Sequence, residues 1–194
     1  MVTNWISFAL LLLLATNDRP LNDLPAGWYD GGSSPGYYVL GIDDEMAKAG
    51  KRSAFIESKE RVEDGFGALL TVFPASQYLG RTIKLSGYIK TENVSDCAAL
   101  WLRIDGNKFN EERIEAINFK NTCENAMTGT NDWQEIEIEL YVPIRSKLIN
   151  FGALMAGTGK IWCDEFKIEL SSKQDTNMLD PELQHEPKNL GFEL

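Results

Sequence analysis

The chain has 194 residues, of which 43% are hydrophobic and 25% are charged, the composition of a folded globular protein. This length provides one substantial core and is too short for two ordinary domains with linkers. The 29 acidic residues outnumber the 19 basic residues and give a net charge of −10. Because nucleic-acid binding depends on clustered Lys and Arg that release counterions from phosphates, we expect no nucleic-acid partner.

The N-terminal region, residues 1–24, contains an uninterrupted apolar run at residues 6–15. This run is too short to cross a bilayer comfortably, but it has the length of a signal-peptide core. A buried strand or helix is the alternative. Five consecutive leucines are difficult to bury in a small sandwich, so we expect a secreted or cell-envelope protein, with the cytoplasm as the alternative. Membrane contact is expected only through this segment, if it is retained.

Between residues 25 and 170, short apolar segments recur at the spacing of a β-sandwich and are separated by Gly, Asn, Asp and Pro. No segment has the length and periodicity of a packed helix. The pattern predicts an all-β fold, an antiparallel β-sandwich. The predicted strands are residues 37–42, 53–57, 66–73, 82–90, 98–104, 114–119, 133–142, 148–155 and 160–168.

Alternation along two consecutive predicted strands indicates three outward-facing side chains: Tyr88 in one, and Trp101 and Arg103 in the next. If the strands are neighbours in space, these side chains form a patch of the kind that stacks on a sugar and fixes its hydroxyl groups. We therefore predict them as ligand-binding residues. The alternative is that a loop covers Trp101 and that Arg103 pairs with Asp105 or with an outward Glu.

The last predicted strand carries a carboxylate among apolar side chains. Alternation places Asp164 on the same side as Trp162, Phe166 and Ile168. A lone buried carboxylate is costly, so Asp164 must be hydrogen-bonded, paired or metal-bound. It either accepts hydrogen bonds from loop amides or is a ligand of a structural calcium ion.

The residues that support catalysis in other proteins are scarce. Cys97, Cys123 and Cys163 match no close zinc spacing, and we expect reduced, partly buried thiols. A bridge from Cys97 to Cys123 or Cys163 is the alternative in an oxidising compartment. The single histidine, His185, lies in a polar tail, so a histidine triad cannot form inside the sandwich. Nucleophile-elbow and phosphate-loop motifs are also absent, and we predict that the domain is not an enzyme.

The C-terminal region has two parts. Residues 171–188 are polar, contain two prolines and are predicted to be a linker. Residues 189–194, with the sequence NLGFEL, are apolar again. They are either the start of a further strand or module, or a strand that folds back onto this one.

Several stretches resemble the motifs of galactose-binding-like jelly-roll domains, which are related to carbohydrate-binding modules and accompany peptidases, esterase-like enzymes or regulators in bacteria. These stretches are AGWY at 26–29, KRSA at 51–54, YLGRTIKLSGYIKT at 78–91, LWLRIDG at 100–106, GTNDWQ at 129–134 and GTGKIWCD at 157–164. The resemblance implies a jelly roll and a non-catalytic accessory module that binds carbohydrate. The alternative is a structural or protein-interaction domain that positions a neighbouring enzyme or regulator module.

The resemblance also bears on the metal. In related modules, an N-terminal strand ending in Phe-Glu and a late Asp supply calcium ligands, which implies a structural calcium ion at Asp164. Here the Asn-Leu-x-Phe-Glu pattern is absent before Trp28 and appears instead at residues 189–193.

Overall fold

A computed structural model describes residues 24–34, 36–61, 63–108, 114–171 and 190–192. Nine β-strands and two 3₁₀ turns account for its regular structure, and no α-helix is present in these ranges. None of the described residues form a helix long and apolar enough to span a membrane. The apolar run at 6–15 and residues 172–188 of the predicted linker lie outside the described residues. The strands are β1 Trp28–Gly32, β2 Tyr38–Asp43, β3 Ser53–Ser58, β4 Phe66–Pro74, β5 Arg81–Lys108, β6 Ile114–Asn121, β7 Met127–Val142, β8 Leu148–Ala156 and β9 Lys160–Leu170.

The strands form two facing antiparallel sheets that share β5. Sheet I has the order β1-β4-β8-β5-β6 and uses the second half of β5, whose residues 97–105 pair with β8. Sheet II has the order β2-β3-β9-β5-β7 and uses the first half, whose residues 83–92 pair with β9. The fold is therefore an all-β antiparallel jelly-roll sandwich, as the sequence predicts.

Strand β5 differs from the sequence prediction, which divides it into strands 82–90 and 98–104. It is continuous over 28 residues and passes from sheet II to sheet I. Its pairing with β7 shifts register between Thr91 and Ala98, and Asn93 adopts a positive φ of 52°. Such irregularities bend a strand without ending it. Strand β1 was not predicted, because the short sequence WYDGG shows no clear alternation.

The core lies between the sheets and consists of the inward-facing side chains that alternation identifies. On β5 these include Leu85 and Ile89 before the bend and Leu100 and Ile104 after it, all fully buried. Phe151 on β8 is also fully buried, and its ring packs against those of Trp28, Phe73 and Phe166 at centroid distances of 5.9, 6.0 and 5.9 Å. This aromatic cluster joins the two sheets, since Phe166 lies on β9 of sheet II.

A second apolar cluster covers part of the outer face of sheet I. It includes Phe66, Leu70, Trp101 and Leu154, all buried. At its margin, Cys97 and Cys123 form a disulfide with their Cα atoms 5.8 Å apart, so the expectation of reduced thiols at these positions is wrong. The two cysteines meet because Cys123 begins the 3₁₀ turn that follows β6, the antiparallel neighbour of β5. Cys163 is a free, buried thiol.

Candidate functional site

The outer face of sheet I carries a row of side chains that runs across all five strands. The pairing places Tyr29, Leu70, Gly152, Trp101 and Asn121 side by side on β1, β4, β8, β5 and β6. A Cβ at Gly152 would collide with the backbone of Leu69, so this position in the middle of the row can carry no side chain. The row begins with an exposed aromatic side chain, because Tyr29 is 53% exposed.

Trp101 is buried in the outer face of sheet I and offers no exposed ring on which a ligand could stack. Only 5% of its surface is exposed, and its indole Nε1 donates a hydrogen bond to the carbonyl oxygen of Ala153 at 3.3 Å. The indole thus reaches onto β8, where Gly152 has no side chain. The side chain is buried and its polar atom is used, as in the alternative of a covered Trp101, but the side chains packed around it come mainly from strands β4, β5 and β8 and not from a loop alone.

The next row on this face contains a buried polar cluster. Arg103 Nη2 donates to Asp105 Oδ2 at 2.8 Å, and Asn150 Nδ2 donates to the same oxygen at 2.7 Å. The side chains of Asp105 and Arg103 are only 1% and 12% exposed. The pairing of Arg103 with Asp105 was also foreseen as an alternative. Asn150 comes from β8, which pairs directly with this part of β5.

Two polar atoms of this cluster have no partner among the described residues, Arg103 Nε and Asp105 Oδ1. Buried polar atoms are normally hydrogen-bonded, so each such exception needs an explanation. Arg103 Nε is a donor and Asp105 Oδ1 is an acceptor, and the two side chains are hydrogen-bonded to each other through their other polar atoms. A hydroxyl group can both accept and donate, so neighbouring hydroxyls match this pair chemically. Neither atom is exposed to solvent, so a ligand contacts them only if the covering side chains move.

Tyr88 does not join this cluster. It lies on the half of β5 that belongs to sheet II, where it pairs with Glu135 and faces outward. Its Oη contacts Glu135 Oε2 at 3.3 Å, and Lys48 Nζ lies 4.8 Å from its ring centroid. Because β5 crosses between the sheets, Tyr88 and Trp101 are on opposite outer faces of the sandwich. The predicted patch of Tyr88, Trp101 and Arg103 therefore does not form.

Asp164 lies at a β-bulge of β9. Between the pairs Tyr88–Asp164 and Ser86–Lys167, β9 contains one residue more than β5, and Glu165 there has a φ of 52°. The bulge changes the alternation, so Phe166 points into the core whereas Trp162 lies outside the core cluster. The sequence analysis placed Trp162, Asp164 and Phe166 on one side because a bulge has no clear signal in the sequence.

Both carboxylate oxygens of Asp164 accept backbone hydrogen bonds. Oδ2 accepts from the amides of Lys48 and Ala49 at 2.8 and 3.1 Å, and Oδ1 accepts from the amide of Glu165 at 2.8 Å. Burial raises the pKa of Asp164, and these amide bonds partly offset that rise. Within the described ranges, no group of three or more acidic, Cys or His side chains is positioned to hold a metal. These surroundings suit an amide-binding carboxylate, and calcium binding at Asp164 stays a prediction, to be tested by melting the protein with and without a chelator.

A separate cluster on sheet II combines two aromatic rings with the ammonium group of a lysine and an aspartate carboxylate. Lys160 Nζ lies 4.6 Å from the ring centroid of Phe55 and 4.8 Å from that of Trp162, and Trp162 Nε1 donates to Asp43 Oδ2 at 2.7 Å. Burial alone would raise the pKa of Asp43, but hydrogen bonds from Trp162 and loop amides, together with Lys160, hold it below its usual value. The polar groups of Asp43, Trp162 and Lys160 therefore contact one another.

The sequence analysis missed Tyr29, Asp105 and Asn150 as candidate site residues. The one available signal was the LWLRIDG segment, in which Asp105 follows Arg103 at the same parity. Asn150 lies 45 residues after Asp105 along the chain, and only the pairing of β5 with β8 brings the two together.

Comparison with known proteins supports the fold. No protein-family model matches the chain. An uncharacterized HTH-type transcriptional regulator, YbfP of Bacillus subtilis (strain 168), is 36% identical over 171 residues, which cover 86% of this chain and 56% of that protein. The chain thus spans just over half the length of this relative.

Two solved structures are similar at low sequence identity. The C-terminal family 22 carbohydrate-binding module of Clostridium thermocellum Xyn10B superposes with a TM-score of 0.52 at 12% identity, covering 78% of this chain and 89% of the module. A Stig cyclase, Fisc from Fischerella sp. TAU, superposes with a TM-score of 0.56 at 11% identity, covering 77% and 87%. At these identities the similarity establishes the jelly-roll fold that this chain shares with carbohydrate-binding modules.

Proposed function

We propose that this chain is a non-catalytic binding module that holds a carbohydrate on the outer face of sheet I. The observation that carries the proposal is the unpartnered pair Arg103 Nε and Asp105 Oδ1, both buried in this face, which a sugar reaches when the side chains that cover the two atoms move aside. A sugar presents adjacent hydroxyl groups, one of which can accept from Arg103 while the other donates to Asp105. The carbohydrate-binding module with the same fold supports this choice of ligand class.

The apolar side chains on this face suit a sugar as well. Val72, beside Asn150 in the polar row, is exposed, and Tyr29 at the edge strand exposes half of its surface. Tyr29 on β1 and Arg103 on β5 are three strands apart, which is roughly 14 Å at the usual strand spacing. That span exceeds one sugar ring, so the face suits an oligosaccharide, with Tyr29 stacking on a ring that lies away from Arg103.

A glycan array with the full chain and one conservative variant tests the proposal. Arg103→Lys keeps a positive charge near Asp105 but removes the Nε donor. A hydrogen bond to a charged group contributes about 1.5–3 kcal/mol, so retention of the bound glycan should weaken by about tenfold or more. Tyr88→Ala, on the opposite face, is the control and should bind like the unaltered chain. Equal binding by Arg103→Lys, or loss with Tyr88→Ala, would refute this site.

A second candidate function follows from the relative in Bacillus subtilis, which is named a transcriptional regulator. In this alternative, the sandwich is a structural or protein-interaction domain that positions a neighbouring regulator module and binds no sugar. An unaltered, folded chain that retains no glycan on the array would favour this alternative. The acidic net charge of −10 argues that any contact with DNA belongs to another module.

A further inference from the structure

The C-terminal segment fills a socket in the core of the sandwich. Phe192 is fully buried, and its ring lies 5.0 Å from that of Trp28 and 6.0 Å from that of Phe166. Leu190 packs against the same core cluster. The core of this domain is therefore completed by a residue that follows the last strand by more than twenty positions.

The β-bulge at Glu165 leaves the amide of Phe166 available to pair with this segment. Residues 165 and 166 have no partner in the register of β9 with β5, and the amide of Phe166 instead donates to the carbonyl oxygen of Leu190 at 3.1 Å. Gly191 lies over the bulge, where an added Cβ would come within 3.1 Å of Glu165 Oε1. The socket thus selects an apolar residue followed two positions later by an aromatic ring, and a side chain at the intervening position would have to displace the end of the Glu165 side chain.

A long connection links the sandwich to this segment. Eighteen residues, 172–189, separate the end of the described sandwich at Ser171 from Leu190. At about 3.3 Å per residue, such a connection can extend to roughly 60 Å, whereas a domain of this size has a radius of gyration of roughly 15 Å. The connection is therefore long enough for the segment to enter the socket of an adjacent molecule.

We propose that the Trp28–Phe166 socket is a binding site for a Leu-Gly-Phe segment, and that a second copy of this chain supplies the segment by exchange of C-terminal ends. Exchange of an identical element uses the same contacts in the dimer as in the monomer, so it needs no new interface. Which form prevails depends on the protein concentration relative to the effective concentration that the connection imposes.

Two full-length variants test the socket and the inserted segment separately. Phe192→Ala retains the socket formed by Trp28 and Phe166 but lacks the aromatic ring that fills it. Trp28→Ala retains Phe192 but lacks one of the rings that form the socket. We expect a labelled peptide of residues 188–194 to bind Phe192→Ala at least tenfold more tightly than it binds the unaltered chain, whose socket is filled. The peptide should also raise the melting temperature of Phe192→Ala, because it binds only the folded state. The same peptide with Ala in place of Phe192 is the control and should do neither.

Mixing the two variants tests exchange between copies. A 1:1 heterodimer should appear by size-exclusion chromatography in the mixture and in neither variant alone. If Phe192→Ala is unfolded, recovery of its β-sheet circular dichroism on addition of the peptide is the supporting result, and Phe192→Leu repeats the binding test in a milder variant. No binding and no recovery would overturn the socket. Peptide binding without a heterodimer would overturn the second copy as the source.

Discussion

Replacing Arg103 with Met is expected to lower the free energy of unfolding by about 3 kcal/mol, because removing one partner of a buried ion pair leaves the other charge uncompensated. Asp105 is almost completely buried, and after the substitution Asn150 would be the one side chain among the described residues that donates to its carboxylate. Methionine fills most of the volume of the arginine stem, so packing changes contribute little. Urea unfolding followed by intrinsic fluorescence gives the measurement.

The double variant Arg103→Met with Asp105→Asn is the control for this prediction. It removes the buried charge together with its partner, so most of the lost stability should return. If the single and double variants are equally unstable, the loss arises from packing, and the Arg103–Asp105 pair is not the cause.

Phe151→Ala is expected to cost about 3–5 kcal/mol, the usual cost of truncating a buried phenylalanine. The ring is fully buried and contacts three other aromatic rings drawn from both sheets, so neighbouring strands cannot close around the cavity without separating these contacts. The effect should appear as a lower urea midpoint with a similar slope.

The matched control is Tyr141→Ala, an exposed aromatic position on β7. Surface substitutions of this kind usually change stability by about 0.5 kcal/mol or less. A Phe151→Ala variant as stable as Tyr141→Ala would show that the two sheets do not pack as described.

Alternation identified the core well because it depends only on the two-residue period of a strand. Leu85, Leu100 and Ile138 lie at inward-facing parities of the predicted strands, and all three are buried. The method failed where the period is broken, at the bulge near Glu165 and at the bend of β5, because these irregularities depend on which strands become neighbours. The predicted Tyr88–Trp101 patch does not form because that bend puts the two side chains on opposite outer faces and because Trp101 is buried.

The candidate site was only partly predictable. Trp101 and Arg103 were correctly assigned to an outer face, but their burial depends on side chains from β4 and β8 that the sequence does not place beside them. Asn150 joins Asp105 only through strand pairing, and the disulfide joins Cys97 to Cys123 through the pairing of β5 with β6. These contacts are non-local, and local sequence patterns do not encode them.

The most direct test of the proposed site is an NMR titration of the ¹⁵N-labelled chain with a glycan that the array retains. The site on sheet I predicts that the largest amide shift changes fall around Arg103 and Asp105 on β5 and Asn150 on β8, with Tyr88 and its neighbours on β7 unchanged. Shift changes centred on Tyr88 and the outer face of sheet II, with the Arg103 region unaffected, would contradict it.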